Sequence, residues 1–362
     1  MTEPLSRASA LASRHAALGS GLEDWNGMGT AWSYATDTCD EHDAVREAAG
    51  MFDMSPLKKV FVRGPDAAAV LDHLTTRDIG RIAPGQAAYL SVLTEAGTMA
   101  DDAIVSNNGG DEWMIVHGSG DTMAHLRSSA AGQNVEVALD DDLHDISVQG
   151  PKALAILDSA TSVDLAGLPY FHHMPAQLFG HPCRISRTGY SGERGYEIFA
   201  NASAVEDIWD QLVGAGVMPC SFTALDKLRI EAGLLFYGYD MTDAHTPWEV
   251  GLGFTVSQTK GEFRGKAALM AARGGERIRN AGLVVDHSDA ASGLLYLNGH
   301  EVGAINSPCW SHRLGKSLAL AHIQSGIADG TALEVRGDAI ETTAHVASLP
   351  FYDPGKSRTH AK

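Results

Sequence analysis

The run Val62-Arg63-Gly64-Pro65-Asp66-Ala67 recurs in outline as Val148-Gln149-Gly150-Pro151-Lys152-Ala153. In each copy an alternating apolar stretch leads into Gly-Pro and then into a helical pattern. Val60-Phe61-Val62 precedes Ala67–Leu74, and Ile146–Gln149 precedes Ala153–Leu157. Glycine reaches backbone angles that other residues avoid, and proline starts a helix without wasting a hydrogen-bond donor. Two copies of one strand–turn–helix unit predict two related α+β halves. Gly-Pro before a helix is common, so chance similarity is the alternative. Length agrees with more than one packed unit, because 362 residues at 44% hydrophobic exceed what one compact core holds.

Other elements follow from local pattern. Residues 1–40 are rich in Ala, Ser and Gly and predict a short helix and a covering loop anchored by Trp25 and Trp32. A helix is expected over Asp40–Ala49, capped by Asp40, with Val45, Ala48 and Ala49 inward and Gly50 ending it. Ala87–Leu93, Asp102–Val105 and Trp113–Val116 read as strands, with turns at Ala96-Gly97 and Asn107–Asp111. Residues 183–199 predict a strand pair around a glycine turn. Ser203 is the expected cap of a helix over Ala204–Val213, and Ala224–Ala232 forms another helix. Arg273-Gly274-Gly275 reads as a linker, and beyond it short alternating runs between glycines predict a small β-barrel. The expected organisation is a two-lobed region at 1–275, a barrel domain at 276–355 and a mobile basic tail at 356–362.

Charge and composition narrow the function. A formal net charge of −18 repels phosphate backbones and anionic lipid, so no nucleic-acid or membrane partner is expected. No apolar stretch approaches the length of a membrane span, and the N-terminus lacks an apolar signal core. Cys39, Cys183, Cys220 and Cys309 are scattered without a Cys-x-x-Cys pair, as suits reduced thiols in a cytoplasmic protein. His172 and His173 adjoin but have no evident third ligand, so no metal site is expected.

Three segments carry chemistry-bearing residues. Asp101-Asp102 opens a strand, so one carboxylate faces a cleft and the other faces away, or both are a solvated pair at a turn. Gly189-Tyr190-Ser191-Gly192-Glu193-Arg194-Gly195-Tyr196-Glu197 is a tight turn flanked by Tyr190 and Glu197, which could converge across two strands. A carboxylate there can accept parallel N–H bonds from an aminopyrimidine-like ring; the alternative is a hairpin with a polar rim. In the helix around Asp226-Lys227-Leu228-Arg229-Ile230-Glu231, Arg229 fits either an internal ion pair or an anionic ligand.

The order of motifs is more specific than any one of them. Gly50-Met51-Phe52-Asp53-Met54-Ser55, the two Gly-Pro units, Asp101-Asp102 and the 189–197 turn precede Leu228-Arg229-Ile230-Glu231-Ala232-Gly233-Leu234. Thr246-Pro247-Trp248-Glu249-Val250-Gly251-Leu252-Gly253 and Lys260-Gly261-Glu262-Phe263-Arg264-Gly265-Lys266 complete the series. From about residue 40 to the C-terminal domain this resembles the glycine-cleavage T-protein (aminomethyltransferase) family. The resemblance implies an α+β, three-lobed fold with a central folate channel and a C-terminal β-barrel. It implies tetrahydrofolate as cofactor, Asp101 as the catalytic aspartate and Glu197 as the grip on the pterin ring. Met54, Tyr89, Tyr190 and Arg229 would line the folate pocket beside Asp101.

The chain departs from that family's pattern at three places. They are Asp24–Tyr34 with Trp25 and Trp32, His117-Gly118, and Asn306–Leu314 with Trp310. These departures lean toward relatives that demethylate small onium or methoxy substrates. The favoured expectation is therefore a demethylase that moves a methyl group to tetrahydrofolate, giving 5-methyltetrahydrofolate, with Trp25, Trp32, His117 and Trp310 as candidate substrate contacts. An aromatic face would attract a cationic donor, and Trp310 is expected beside the transferred group. The main alternative is an aminomethyltransferase working with a lipoyl carrier protein. A non-enzymatic iron–sulfur assembly factor is disfavoured, because Lys260-Gly261-Glu262 lacks that group's cysteine. A flavin-linked oxidase is also disfavoured, since no Gly-x-Gly-x-x-Gly segment precedes the folate-like region.

Overall fold

The computed structural model describes residues 5–338 and 340–361. Three β-units organise it. One six-stranded sheet has the order His173–Leu178, His181–Ser186, Gly195–Asn201, Leu143–Gln149, Gly50–Asp53, Met218–Pro219, antiparallel except for the last pair. A five-stranded antiparallel sheet has the order Ala87–Leu93, Met99–Gly109, Glu112–His117, Lys58–Arg63, Glu136–Leu139. The third unit is a closed six-stranded barrel built from Ile278–Val285 through Glu341–Ala347. The α+β, three-lobed expectation is met.

The two Gly-Pro units are geometrically alike. Gly64 and Gly150 both have φ of 127°, and Ala67 and Ala153 each donate a backbone bond to that glycine's carbonyl at 3.0 Å. A side chain at Gly64 would meet Asn134 O at 2.5 Å, and one at Gly150 would meet Val45 O at 2.6 Å. Each turn therefore requires glycine for both dihedral and space.

Alternation along the strands sorts each sheet into two faces. In the five-stranded sheet Val60, Val62, Leu90, Val92, Ala103, Val105 and Ile115 pack on helices Ala67–Leu74 and Thr122–Ala130. In the six-stranded sheet Ile146, Val148, Ile198 and Ala200 pack on helices Ala153–Asp158 and Ala202–Gly214. The opposite faces meet each other: Phe61, Met114 and Val116 from one sheet share a cluster with Phe199 from the other. The molecule is thus helix, sheet, sheet, helix, with the inner faces of the two sheets apposed.

Three local expectations are corrected. The first long helix is Thr38–Glu47, capped by Asp37, whose Oδ1 accepts from Cys39 N at 2.8 Å. Asp40 lies inside its first turn. Gly50 does not end the helix but opens a strand, where a side chain would stand 2.5 Å from Val45 Cγ2 and 2.7 Å from Cys220 Sγ. The later helix is Ala202–Gly214, capped by Asn201 rather than Ser203; Asn201 Oδ1 accepts from Ala204 N at 3.1 Å and from Ser203 Oγ at 3.0 Å.

The tail is docked, not free. Thr359 Oγ1 donates to Gly192 O at 2.8 Å, and Arg187 and Arg194 donate to Ala361 O at 2.6 and 2.9 Å. Neither arginine has a carboxylate partner among the described residues, so their donors converge on that carbonyl. Lys362 lies outside the described residues. No helix among the described residues is long and apolar enough to cross a membrane.

The cap assignment sets a direct expectation. Asn201→Ala should lower stability by about 1 kcal/mol in urea denaturation. Ser203→Ala, at an exposed site off the cap, should change it by less than about 0.5 kcal/mol. The reverse order would return the cap to Ser203.

Candidate active site

The Asp101-Asp102 pair is divided by the sheet. Asp101 shares the helix-side face with Ala103 and Val105, whereas Asp102 projects toward the other sheet. Asp101 is wholly buried. Its Oδ2 accepts from His117 Nδ1 at 3.0 Å and Thr122 Oγ1 at 2.8 Å, and its Oδ1 accepts from Asp102 N at 3.0 Å. A side chain at Gly120 would strike Asp101 Cγ at 2.5 Å, so the loop closes over it. Asp101 is a saturated structural anchor under the start of helix Thr122–Ala130. This corrects the expectation that Asp101, and not Asp102, faces the cleft.

Asp102 carries the open carboxyl oxygen of the pair. It is only partly buried, and its Oδ2 accepts from the Tyr89 hydroxyl at 3.0 Å. Its Oδ1 has no partner among the described residues. Burial, then the charge of Asp101, raises its pKa from 3.8 to about 7, against the opposing bond from Tyr89. The Tyr89 hydroxyl is itself held well above its ordinary range by burial and by Asp102.

Glu197 projects from the facing sheet, opposite Ser147 and Ser186. Thr188 Oγ1 donates to its Oε2, and its Oε1 is without a partner among the described residues. Burial raises its pKa, with the Thr188 bond working the other way. Asp145 shares that face, opposite Phe199, and both its carboxylate oxygens are buried without a partner. Burial and then Glu197 push its pKa well up, with the Lys59 charge opposing. The Lys59 ammonium donates instead to Ser55 O and Leu57 O at 2.7 and 2.8 Å. Sequence reasoning passed over Asp145. Its signal was alternation: Asp145, Ser147 and Gln149 are polar where Ile146 and Val148 between them are apolar.

The remaining expected residues separate. Tyr190 donates its hydroxyl to Leu235 O and packs with Met54, Trp25, Trp32 and Phe222 in one cluster. Trp25 also donates Nε1 to Ser119 Oγ at 2.9 Å, beside the loop over Asp101. Arg229 is buried and committed: it donates to Asp240, to Asp226 Oδ1 at 2.8 Å and to Ser307 Oγ of the barrel at 2.8 Å. It pins lobe to barrel, and each of its nitrogens is already engaged within the protein. His117 lies beneath the sheet with Asp101, on the side away from Asp102. Its Nε2 is buried without a partner.

Trp310 sits on the barrel strand His300–Ser311. On its strand Ser307, Cys309 and Ser311 face helix Phe222–Glu231, through bonds to Arg229 and Glu231 and packing on Ile230. Alternation turns Trp310 to the other side. It is absent from the clusters around Tyr89 and Tyr190.

Comparison with known proteins places the chain. Residues 11–260 match the GCVT N-terminal domain, and residues 264–353 match the glycine cleavage T-protein C-terminal barrel domain. The chain is 46% identical to the heme-dependent oxidative N-demethylase gamma subunit of Ectopseudomonas mendocina, over 98% of each chain. It is 36% identical to an aminomethyltransferase of Streptomyces coelicolor, over 96% of this chain and 97% of that one. Among solved structures, the glycine cleavage system aminomethyltransferase T of Bartonella henselae superposes with a TM-score of 0.89 at 25% identity. That match covers 96% of this chain and 98% of that one.

The two aspartates should differ in stability. Asp101→Ala leaves His117 Nδ1 and Thr122 Oγ1 buried without an acceptor and should cost roughly 2 kcal/mol or more. Asp102 behaves oppositely. Its folded pKa of about 7 lies above the 3.8 of a free carboxyl, so the folded state binds the proton more tightly. Its contribution to stability is lost as pH rises through that interval. Asp102→Asn should therefore match the wild type at pH 4 and exceed it in melting temperature at pH 8. A lower melting temperature for Asp102→Asn at pH 8 would contradict this assignment.

Proposed function

The chain belongs to the glycine-cleavage T-protein family, and from that membership we propose a tetrahydrofolate-dependent one-carbon transferase that serves an oxidative N-demethylase as companion subunit. Its substrate in this reading is the carbon released from an N-methyl amine at the oxidation level of formaldehyde. Uptake by tetrahydrofolate gives methylenetetrahydrofolate and water. This departs from direct methyl transfer and 5-methyltetrahydrofolate. The reason is the 46% relative, whose name specifies oxidative N-demethylation and a gamma subunit. The aminomethyltransferase reading rests on the relatives near 36% identity.

The carrying observation is the Asp102 carboxyl, with one oxygen held by Tyr89, the other free, and a pKa of about 7. The surrounding groups suit a reduced folate. Glu197 Oε1 is an open carboxylate acceptor for the paired N–H groups of an aminopyrimidine edge. Tyr89, Tyr190 and Met54 offer aromatic and apolar surface for a flat ring.

When bound, tetrahydrofolate supplies nucleophilic amine nitrogens. Converting one carbonyl group and two N–H groups into a methylene bridge and water involves no net redox change. It does require two protons to leave nitrogen and two to reach the departing oxygen, and a carboxyl can relay such a proton. Asp102 is placed to hold and return that proton, because a group with a pKa near the working pH does both with little penalty. Tyr89 fixes which oxygen performs the transfer. Aligning two reactants between the apposed sheets supplies much of the remaining acceleration.

Asp102→Asn should retain folate affinity and lose at least about 100-fold in turnover. The wild-type rate should bend near pH 7, and the bend should vanish in that variant. Glu197→Ala should weaken tetrahydrofolate binding by about 1.5–3 kcal/mol in calorimetry. Full activity in Asp102→Asn, with an unaltered pH profile, would remove Asp102 from the reaction.

A further inference from the structure

Helix Thr38–Glu47 meets the barrel through three side chains that converge away from the Asp102 site. His42 and Asp43 come from the helix, and His312 comes from the turn between barrel strands His300–Ser311 and Lys316–Gln324. His42 Nδ1 stands 3.3 Å from Asp43 Oδ1, and His312 Nε2 stands 3.0 Å from the same oxygen. All three candidate ligand atoms lie within 4.8 Å of one another, and the two imidazoles approach to 4.6 Å between centroids.

The groups behind His42 fix its orientation. Its Nε2 donates to Glu231 Oε2 at 2.9 Å, with both side chains wholly buried. Glu231 is in turn held by Arg46 Nη2 at 2.8 Å and by Ser311 Oγ at 2.6 Å. The nitrogen facing Glu231 therefore carries hydrogen, and the lone pair of a neutral His42 points at Asp43 Oδ1. Two acceptors 3.3 Å apart repel unless a positive particle joins them. A proton on the ring is one solution, and a metal ion is the other.

A carboxylate behind a ligating imidazole is the usual outer partner of a protein metal site, since it fixes the tautomer and raises basicity. The spacing also suits an ion. Metal–ligand bonds of about 2.0–2.2 Å in a tetrahedron put ligand atoms roughly 3.3–3.5 Å apart. Two of the three edges, 3.3 and 3.0 Å, are near that value, and the third is no longer than 4.8 Å. Arg313 Nη1, the nearest competing cation, is 3.7 Å from Asp43 Oδ1 and is committed to Glu47 at 2.9 Å. Asp43 is partly exposed, which leaves a fourth position for water.

We propose that His42, Asp43 and His312 form a binding site for a borderline divalent ion of the zinc class, clipping the N-terminal lobes to the barrel. Two imidazoles and one carboxylate suit zinc or cobalt rather than calcium or magnesium, which favour all-oxygen shells. The site is independent of the folate reading.

The test uses untagged full-length protein stripped with chelator and titrated with Co²⁺, followed by Zn²⁺ displacement. One equivalent of Co²⁺ should bind, develop visible d–d absorption and raise the melting temperature, and Zn²⁺ should abolish the absorption. Asp43→Asn and His312→Gln alter partly exposed side chains, and their folding is checked by circular dichroism. Each should weaken Co²⁺ binding by at least about tenfold. The proposal is overturned if less than half an equivalent binds, or if folded Asp43→Asn and His312→Gln bind as the wild type does. In either outcome a proton alone joins His42 to Asp43.

Discussion

The apposition of two sheets through alternate residues is the constraint on which everything else rests. Phe61, Met114 and Val116 meet Phe199 because each is one position out of phase with the residues that pack on helices. The same phase sends Asp102 and Tyr89 inward from one sheet, and Glu197 and Asp145 inward from the other. Four polar groups thereby leave the helix-packed faces and turn to the inner faces of the two sheets. Low polarity there raises the pKa of all three carboxyls, with burial the leading cause in each. A one-residue register slip on either sheet would replace these groups with the residues that pack on helices.

Much of this architecture was legible in sequence because its signals are local. The Gly-Pro turns, the strand Ala87–Leu93 and the barrel's alternating runs are decided by a few neighbouring residues. Helix caps were misplaced by two or three residues. Several polar residues sit near each helix start, and only the folded backbone selects Asp37 over Asp40 and Asn201 over Ser203. The Asp101-Asp102 pair shows a different limit. Sequence says that one of the two faces a cleft, but which one depends on the long-range pairing that fixes the sheet's inner side.

Residues brought together across the chain were the least legible. Arg229 carries the same sequence signal whether it meets a ligand or Asp240 and Ser307; only the barrel's position decides between them. Trp310 and His117 were singled out as departures from a familiar pattern, yet alternation turns one away and buries the other under the sheet. Departure in sequence therefore marks a changed environment without saying which side of a strand has changed. The pairing of His42 and Asp43 with His312 spans the whole fold and leaves no local trace. The C-terminal tail misled for a related reason: its basic composition suggested mobility, but its backbone carbonyl meets two arginines that lack acids.

The proposed function turns on the oxidation level of the transferred carbon. The direct measurement is ¹³C nuclear magnetic resonance of tetrahydrofolate incubated with the protein, supplied in parallel with ¹³C-formaldehyde or with ¹³C-methylated amine and sulfonium donors and no oxidant. The expected result is a labelled methylene bridge from formaldehyde only, formed in proportion to protein and faster than in protein-free buffer. A labelled methyl group appearing on folate from a methylated donor, or a methylene signal that grows equally fast without the protein, would contradict it.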